Sequence, residues 1–365
     1  MKILGLYDGM SNGMITFTEL GLADQIERYV SFEYDVKSIG KRGAGEFGFP
    51  ALTASHNFPI IEQRGDIFKA DFTEFKGFDY ILAGFPCTKF SIAQKVDRET
   101  KPYSGEGWDM FEKAWEAVQI AQPKFFLFEN NKSMATEVKE EISRIIGFSP
   151  VLINSALVSA QTRQRIYWLG KRNPDGTYSQ VHVEQPEDRS ILLKDVLEHG
   201  IVDKEKSYVL KHQCGNTRDY FKKHHTQIVF EPVRVGDIGS GAQVHRVYSC
   251  YGKSVTINSG GGGQGGKTGL YFVPIPEELV NDICDKGLIY EVRNNEIETK
   301  HGLFYVNLPD GYYLIRKLTV KECMRLQTVP EWYDFSVVSQ TAAYAMLGNG
   351  WTVEVIKYLI SHTLE

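Results

Sequence analysis

Three short stretches of the chain carry side chains suited to covalent chemistry. Gly84-Phe85-Pro86-Cys87 sets a thiol directly after the apolar run 78–83 and ahead of a polar stretch reaching Trp108. A cysteine in such a loop is reachable, and its reactivity then depends on how readily it becomes a thiolate. Glu129 follows the apolar run 125–128 in Phe128-Glu129-Asn130, where a carboxyl would sit beside Cys87 if both strands lie in one parallel sheet. Gln161-Thr162-Arg163-Gln164-Arg165 leads into the apolar run 166–169. In extended backbone, positions 161, 163 and 165 share a face, so that face would carry one amide and two guanidiniums. A nucleophile, an acid and a cationic orienting group are the parts of a nucleophilic active site.

A second set of residues suits a ligand rather than a reaction. Asp8-Gly9-Met10-Ser11-Asn12-Gly13 joins the strand-like run 3–7 to the amphipathic stretch 13–20. Glycines let the backbone approach a ligand closely, and the following helix offers its N-terminus. Glu33 closes the run 29–33, where a carboxylate can accept both hydroxyls of a ribose. Asp66, in Gly65-Asp66-Ile67, is suited to an adenine amino group. No phosphate-binding lysine accompanies the turn, which excludes a P-loop. The pattern points to an adenosine held without its phosphates.

The elements that must position these groups read as short apolar strands alternating with helices, at 3–7, 29–33, 78–83, 125–128, 151–153 and 166–169, with helical spacing at 13–20 and 110–121. That alternation predicts an α/β fold with a parallel sheet wrapped by helices on both faces. Ligands then gather at the carboxyl ends of the strands, where Asp8, Glu33, Cys87 and Glu129 fall. From about residue 171 the texture becomes irregular and rich in Gly, Ser, Thr and His, with four consecutive glycines at 260–263. Helical periodicity returns in 318–326 and 342–359. The chain of 365 residues divides into a first domain over 1–170, a smaller, mainly β domain over 171–315 and a C-terminal segment over 316–365 that returns to the first.

Composition removes several function classes. No run approaches the roughly 18 apolar residues of a membrane span. The N-terminus turns polar too early for a signal peptide, so the expected compartment is the cytoplasm. The five cysteines stand singly with no CxxC pair, which argues against a zinc site or a disulfide framework. A net charge of −5 gives no global attraction for nucleic acid, yet 211–270 holds eight Lys/Arg against three acids, a local +5.

Taken in order, Asp8-Gly9-Met10-Ser11-Asn12-Gly13, Glu33, Gly84-Phe85-Pro86-Cys87, Glu129-Asn130, Gln161-Thr162-Arg163-Gln164-Arg165, Arg316-Lys317-Leu318-Thr319-Val320-Lys321-Glu322-Cys323-Met324-Arg325-Leu326-Gln327 and Gly348-Asn349-Gly350 resemble the cytosine-C5 DNA methyltransferase family. The first glycine motif is similar to that of animal de novo enzymes, and the glycine-rich centre to bacterial and phage recognition domains. Thr88 and Asn131 stand where the family commonly has glutamine and valine. The resemblance implies a Rossmann-like methyltransferase sheet plus a target-recognition domain, with S-adenosylmethionine as methyl donor, S-adenosylhomocysteine as product and no metal. It implies Cys87, Glu129, Arg163 and Arg165 as catalytic residues. Tyr7, Asp8, Gly9, Met10, Ser11, Asn12, Gly13, Glu33, Tyr34, Asp66, Ile67, Pro86, Asn349, Gly350 and Trp351 are implied at the donor. Ser91, Gln161, Arg246, Thr256 and Lys267 are implied at DNA.

Under that resemblance Cys87 adds to C6 of a cytosine flipped out of the duplex, Glu129 in its acid form helps at N3, the arginines hold the adduct, and 88–107 closes over it. Double-stranded DNA is the expected partner, with a cognate restriction endonuclease as a further one, no membrane, and a monomeric state. Two rival readings are a transfer-RNA cytosine methyltransferase of the same superfamily, which the basic insert speaks against, and a catalytically silent DNA-binding homologue, which the intact Cys87, Glu129 and Arg165 speak against.

Overall fold

The computed structural model describes residues 1–85, 105–196, 198 and 319–364, and between the last two the segments 234–237, 246–248, 270–274, 289–299, 302–305 and 310–316. Five strands of the main sheet run parallel: β1 (Lys2–Leu6), β2 (Arg28–Phe32), β3 (Ile61–Gln63), β4 (Tyr80–Ala83) and β5 (Phe125–Asn131). After its first lysine β1 is wholly buried, and all of β4 is. Unbroken apolar runs of this kind are what strands covered on both faces require. Side chains alternate between two cores, with Ile3, Tyr29 and Leu82 on one face and Leu4, Val30 and Ile81 on the other.

Helices fill both faces. Among the described residues they are α1 (Asn12–Glu19), α2 (Phe49–Asn57), α3 (Glu106–Ala121), α4 (Thr136–Ile146), α5 (Val320–Leu326), α6 (Gln340–Asn349) and α7 (Val353–Ser361). α1, α6 and α7 cover the first core through Met14, Phe17, Leu347, Ile356 and Leu359. α3 and α4 cover the second through Phe111, Val118, Val138, Ile142 and Ile146. In α4 the inward residues recur at helical spacing, and Gly147 stops it with φ of 101°, a left-handed conformation that glycine adopts freely. α5 starts with a reciprocal cap: Thr319 Oγ1 accepts from the Glu322 N–H, and the Glu322 carboxylate accepts from the Thr319 N–H. No helix among the described residues is long and apolar enough to cross a membrane.

The sheet departs from the predicted all-parallel one. β7 (Gln164–Arg172) is inserted between β5 and β6 (Val151–Asn154) and runs antiparallel to both, with β8 (Tyr178–Gln180) antiparallel on β7, in the order β3-β2-β1-β4-β5-β7-β6. Residues 155–163 between β6 and β7 are too few for the roughly dozen-residue crossover that a parallel neighbour needs. The C-terminal stretch read as one helical run over 342–359 is two helices, interrupted after Asn349, because Gly350 takes an extended conformation at the end of α6.

Among the described residues a second sheet of seven strands has the order β14-β13-β12-β15-β11-β10-β9. Its strands are β9 (Arg234–Asp237), β10 (Arg246–Tyr248), β11 (Leu270–Pro274), β12 (Ile289–Arg293), β13 (Glu296–Thr299), β14 (Gly302–Tyr305) and β15 (Gly311–Arg316), antiparallel except for β10 with β11. The β12–β13 hairpin turns on Asn294 and Asn295, both with positive φ, the chemistry a tight two-residue turn demands.

Gly170 in β7 lies opposite Phe126 of β5, and a Cβ there would run into the phenyl ring. Phe126 is itself enclosed by Trp115, Phe128, Phe148 and Tyr178, so it has nowhere to retreat. Gly170→Ala is expected to destabilise the protein by about 1–3 kcal/mol. A urea-denaturation midpoint equal to the wild type's would show the packing to be looser than described.

Candidate active site

The turn after β1 is built from alternating left-handed residues: Tyr7, Gly9 and Ser11 have φ of 54°, 57° and 59°. This winds the backbone so that the Gly9 N–H donates to Glu33 Oε2 at 2.7 Å. Gly13 must be glycine for α1 to lie on the sheet, since a Cβ would stand 2.6 Å from both Leu82 Cδ1 and the Tyr29 hydroxyl. Asp8, expected at the donor, turns inward. Its carboxylate accepts from the Ser11 hydroxyl at 2.5 Å and the Tyr29 hydroxyl at 2.9 Å. Burial pushes the Asp8 carboxyl up, and hydroxyls of Ser11, Ser31 and Tyr29 pull it back. Asp8 braces the turn from below, over Gly5, where a side chain would collide with it.

Glu33 is different. Its second oxygen accepts from no protein donor among the described residues. Burial pushes its carboxyl up to about 7; the Gly9 N–H opposes this, while the charges of Asp8 and Asp35 add to it. Tyr34 beside it is 44% exposed at the same sheet end. Asp66 caps the turn Ile67–Lys69 by accepting from the Phe68 N–H at 3.0 Å, and Ile67 is buried. The Tyr7 hydroxyl donates to the Met110 carbonyl.

One strand away from β4 stands Glu129. Its Oε1 lies 3.1 Å from Arg165 Nε, and both side chains are 12% exposed. Its Oε2 accepts the indole N–H of Trp351 at 3.0 Å. The neighbouring Asn130 donates to the Phe85 carbonyl at 3.1 Å, tying the end of β5 to the residue before Pro86. Asn130 was legible as part of Glu129-Asn130, but nothing in the sequence indicated its partner.

Arg163 and Gln161 bond to the C-terminal segment. The Arg163 guanidinium is buried and donates to the carbonyls of Gly348 and Gly350, at 3.2 and 2.9 Å. The Gln161 amide, expected at DNA, is wholly buried and donates to the Leu326 carbonyl and to Gln327 Oε1. Both precede β7, and these bonds reach the C-terminal segment. Gln327, which the sequence offers only as the end of the motif beginning at Arg316, donates from Nε2 to the Leu347 carbonyl at 2.5 Å and accepts from the Thr352 hydroxyl at 3.0 Å. Asn349 ends α6. Asn12 donates to the Trp351 carbonyl at 3.1 Å, and the Tyr333 hydroxyl, missed in the sequence, donates to the Met10 carbonyl at 2.8 Å. The glycine turn, Glu129 and the break at Gly350-Trp351 therefore form one connected body. Cys87, Pro86, Ser91, Thr256, Lys267 and the closing segment over 88–107, up to residue 104, lie outside the described residues; Arg246 is described only as the first residue of β10.

A family model described as C-5 cytosine-specific DNA methylase matches residues 1–365. Among curated proteins the chain is similar to the type II methyltransferase M.HhaI of Haemophilus parahaemolyticus, 26% identical over 311 residues covering 81% of this chain and 78% of that protein. It is also similar to the orphan methyltransferase M.SPBetaI of Bacillus phage SPbeta, 24% identical over 96% of this chain and 97% of that one. Among solved structures, the S. pombe Dnmt2 methyltransferase aligns over 99% of this chain and 97% of its own, with a TM-score of 0.57 at 14% identity. That likeness is one of fold, and with the mixed sheet and its helices it identifies the Rossmann-like methyltransferase fold.

The raised Glu33 carboxyl predicts how stability depends on pH. Below its ordinary value of 4.5 the group is protonated both folded and unfolded. Between 4.5 and about 7 only the folded protein keeps the proton, and above that range it carries a buried carboxylate. Stability contributed by this group is therefore lost as pH rises across that window. Glu33→Gln, which cannot ionise, is expected to gain thermal stability relative to wild type at pH 8 more than at pH 5. An equal difference in melting temperature at the two pH values would sink the assignment.

Proposed function

The chain belongs to the C-5 cytosine-specific DNA methylase family and is a DNA cytosine methyltransferase; from that premise we propose that it acts on a cytosine turned out of the duplex, through a transient bond between Cys87 and C6. The observation that carries this reading is Glu129, held by Arg165 and Trp351 at the carboxyl end of β5, with Asn130 bound to the stem that leads into Cys87.

Methyltransferases of this family use S-adenosylmethionine, which when bound supplies an electrophilic methyl group. The residues present fit it. Glu33 keeps one carboxylate oxygen open for a ribose diol, Gly9 brings backbone close, and Tyr34 offers an exposed ring for a purine. Tyr7, Met10, Ser11, Asn12, Gly13, Asp66, Ile67, Asn349, Gly350 and Trp351 would complete that pocket, with Asp8 supporting the turn from beneath.

Cytosine C5 is a poor nucleophile. Addition of the Cys87 thiolate to C6 breaks the C5–C6 double bond and leaves C5 electron-rich. Glu129 stands to give or share a proton at N3, and Arg165 to stabilise the charge that develops. Once the methyl is in place, loss of the C5 proton restores the ring double bond and expels Cys87 as thiolate. The target atom is inaccessible inside a duplex, so the base must leave the stack. The basic, glycine-rich part of 171–315, with Arg246, Thr256 and Lys267, is our choice for the surface that reads the sequence. A cytoplasmic monomer paired with a restriction endonuclease is the setting this reading favours.

Methyl transfer from tritiated donor to duplex DNA, with transfer RNA in a parallel arm, tests the substrate. Cys87→Ala is expected to abolish transfer, and duplex carrying 5-fluorocytosine should leave a detergent-stable complex only when Cys87 is present. Residual methylation of C5 by Cys87→Ala would end the covalent mechanism. Glu129→Gln keeps the shape but not the acid, and a loss of about 10²–10⁴-fold in rate is expected with DNA affinity little changed. A drop in DNA binding large enough to explain the whole loss would move Glu129 from chemistry to positioning.

A further inference from the structure

We propose that Trp351 is a positioning residue for the reaction, its indole N–H fixing the orientation of Glu129; this rests on the reading of Glu129 as the proton donor. Indole nitrogen is a donor only. It lies 3.0 Å from Glu129 Oε2, while Arg165 Nε lies 3.1 Å from Oε1. Each carboxyl oxygen is thus held by its own donor, one from β7 and one from the chain's C-terminal segment. The carboxyl plane is pinned at two points rather than left to rotate on Arg165 alone.

The indole is held in turn. The Trp351 carbonyl accepts from Asn12 Nδ2 at 3.1 Å, so the residue spans the glycine turn and the acid. Gly350 before it is clamped through its carbonyl by Arg163 and Gln327. The ring lies against Gly84, where a Cβ would stand 2.7 Å from Trp351 Nε1. Gly84 is therefore the space that lets the indole reach Glu129, and any side chain there would push it away.

Among the described residues, the ionisable groups around Glu129 include Arg165 and Tyr167 on β7, with Arg163 just before it. Tyr167 is buried and pushed up by burial and by the Glu129 charge, against Arg165 and Arg163. The Trp351 N–H is the neutral donor beside this set, and removing it should leave the Glu129 carboxyl less well oriented.

The test is a double-variant comparison of single-turnover methyl transfer at saturating DNA and donor. Glu129→Gln first sets the loss of rate that belongs to Glu129. Trp351→Phe, which keeps a ring but loses the N–H, is expected to lower the rate roughly tenfold with Glu129 present, the size of a lost hydrogen bond to a charged group, and less than about twofold on the Glu129→Gln background. DNA dissociation constants should stay within about twofold. Gly84→Ala, which keeps the indole but displaces it, should show the same dependence on Glu129. If Glu129→Gln leaves the rate unchanged, the reading of Glu129 as the acid fails. If Glu129→Gln slows transfer while Trp351→Phe and Gly84→Ala either cost nothing or cost as much without Glu129 as with it, the inference about Trp351 alone is overturned. A purely structural role would lower rate and melting temperature equally on both backgrounds.

Discussion

The antiparallel pairing of β5 with β7 fixes where the charges of the site meet. Asn131 faces Arg165 across the ladder and Glu129 faces Tyr167, so the start of β7 lies at the end of β5. Had β7 run parallel, its first residues would lie at the far end of the sheet from Glu129. The price of the arrangement is a carboxylate and a guanidinium that are both nearly out of water. Such a pair adds little stability against an apolar substitute, but losing one partner strands the other at roughly 3–5 kcal/mol. The pair is therefore maintained jointly or not at all.

A second constraint comes from the C-terminal segment. The break between α6 and α7 brings the Gly348 and Gly350 carbonyls to Arg163, the Gly350 and Leu347 carbonyls to Gln327, and the two ends of Trp351 to Asn12 and Glu129. Donors from three parts of the sequence and one acceptor, Glu129, converge on one turn. Tyr333 reaches the same body from outside through the Met10 carbonyl. Because α7 also packs on α1, the glycine turn and Glu129 reach their final positions only when the chain's last helices dock.

Much of the sheet was legible because strands buried on both faces leave unbroken apolar runs, as in Ile3–Leu6 and Tyr80–Ala83. Their direction was not. Apolar runs and alternation carry no sign for parallel or antiparallel, and the buried centre of β7 reads like that of β4. The helix break at Gly350 was hidden because Leu347, Val353 and Ile356 continue one buried apolar surface across it. Among site residues, Glu129 and Arg165 could be paired from their positions at run ends. Arg163 and Gln161 could not be separated from Arg165, since a polar residue ahead of a strand shows in its type neither which way it faces nor which distant carbonyl awaits it. The resemblance implies Trp351 at the donor; only the folded chain reveals that its N–H has a carboxylate to meet.

Two acids at the first turn show how environment divides identical chemistry. Asp8 and Glu33 are both desolvated, and burial pushes both carboxyls up. Asp8 has its oxygens occupied by the hydroxyls of Ser11 and Tyr29 and lies under Gly5. It is satisfied by the protein, so its contribution is to hold the turn's shape. Glu33 receives one backbone N–H and keeps an oxygen open. That open oxygen is an acceptor which a ligand hydroxyl could meet. The same turn thus holds a carboxylate that is closed for structure and one that is left incomplete, and the incomplete one lies beside the exposed ring of Tyr34 at the sheet end where ligands collect.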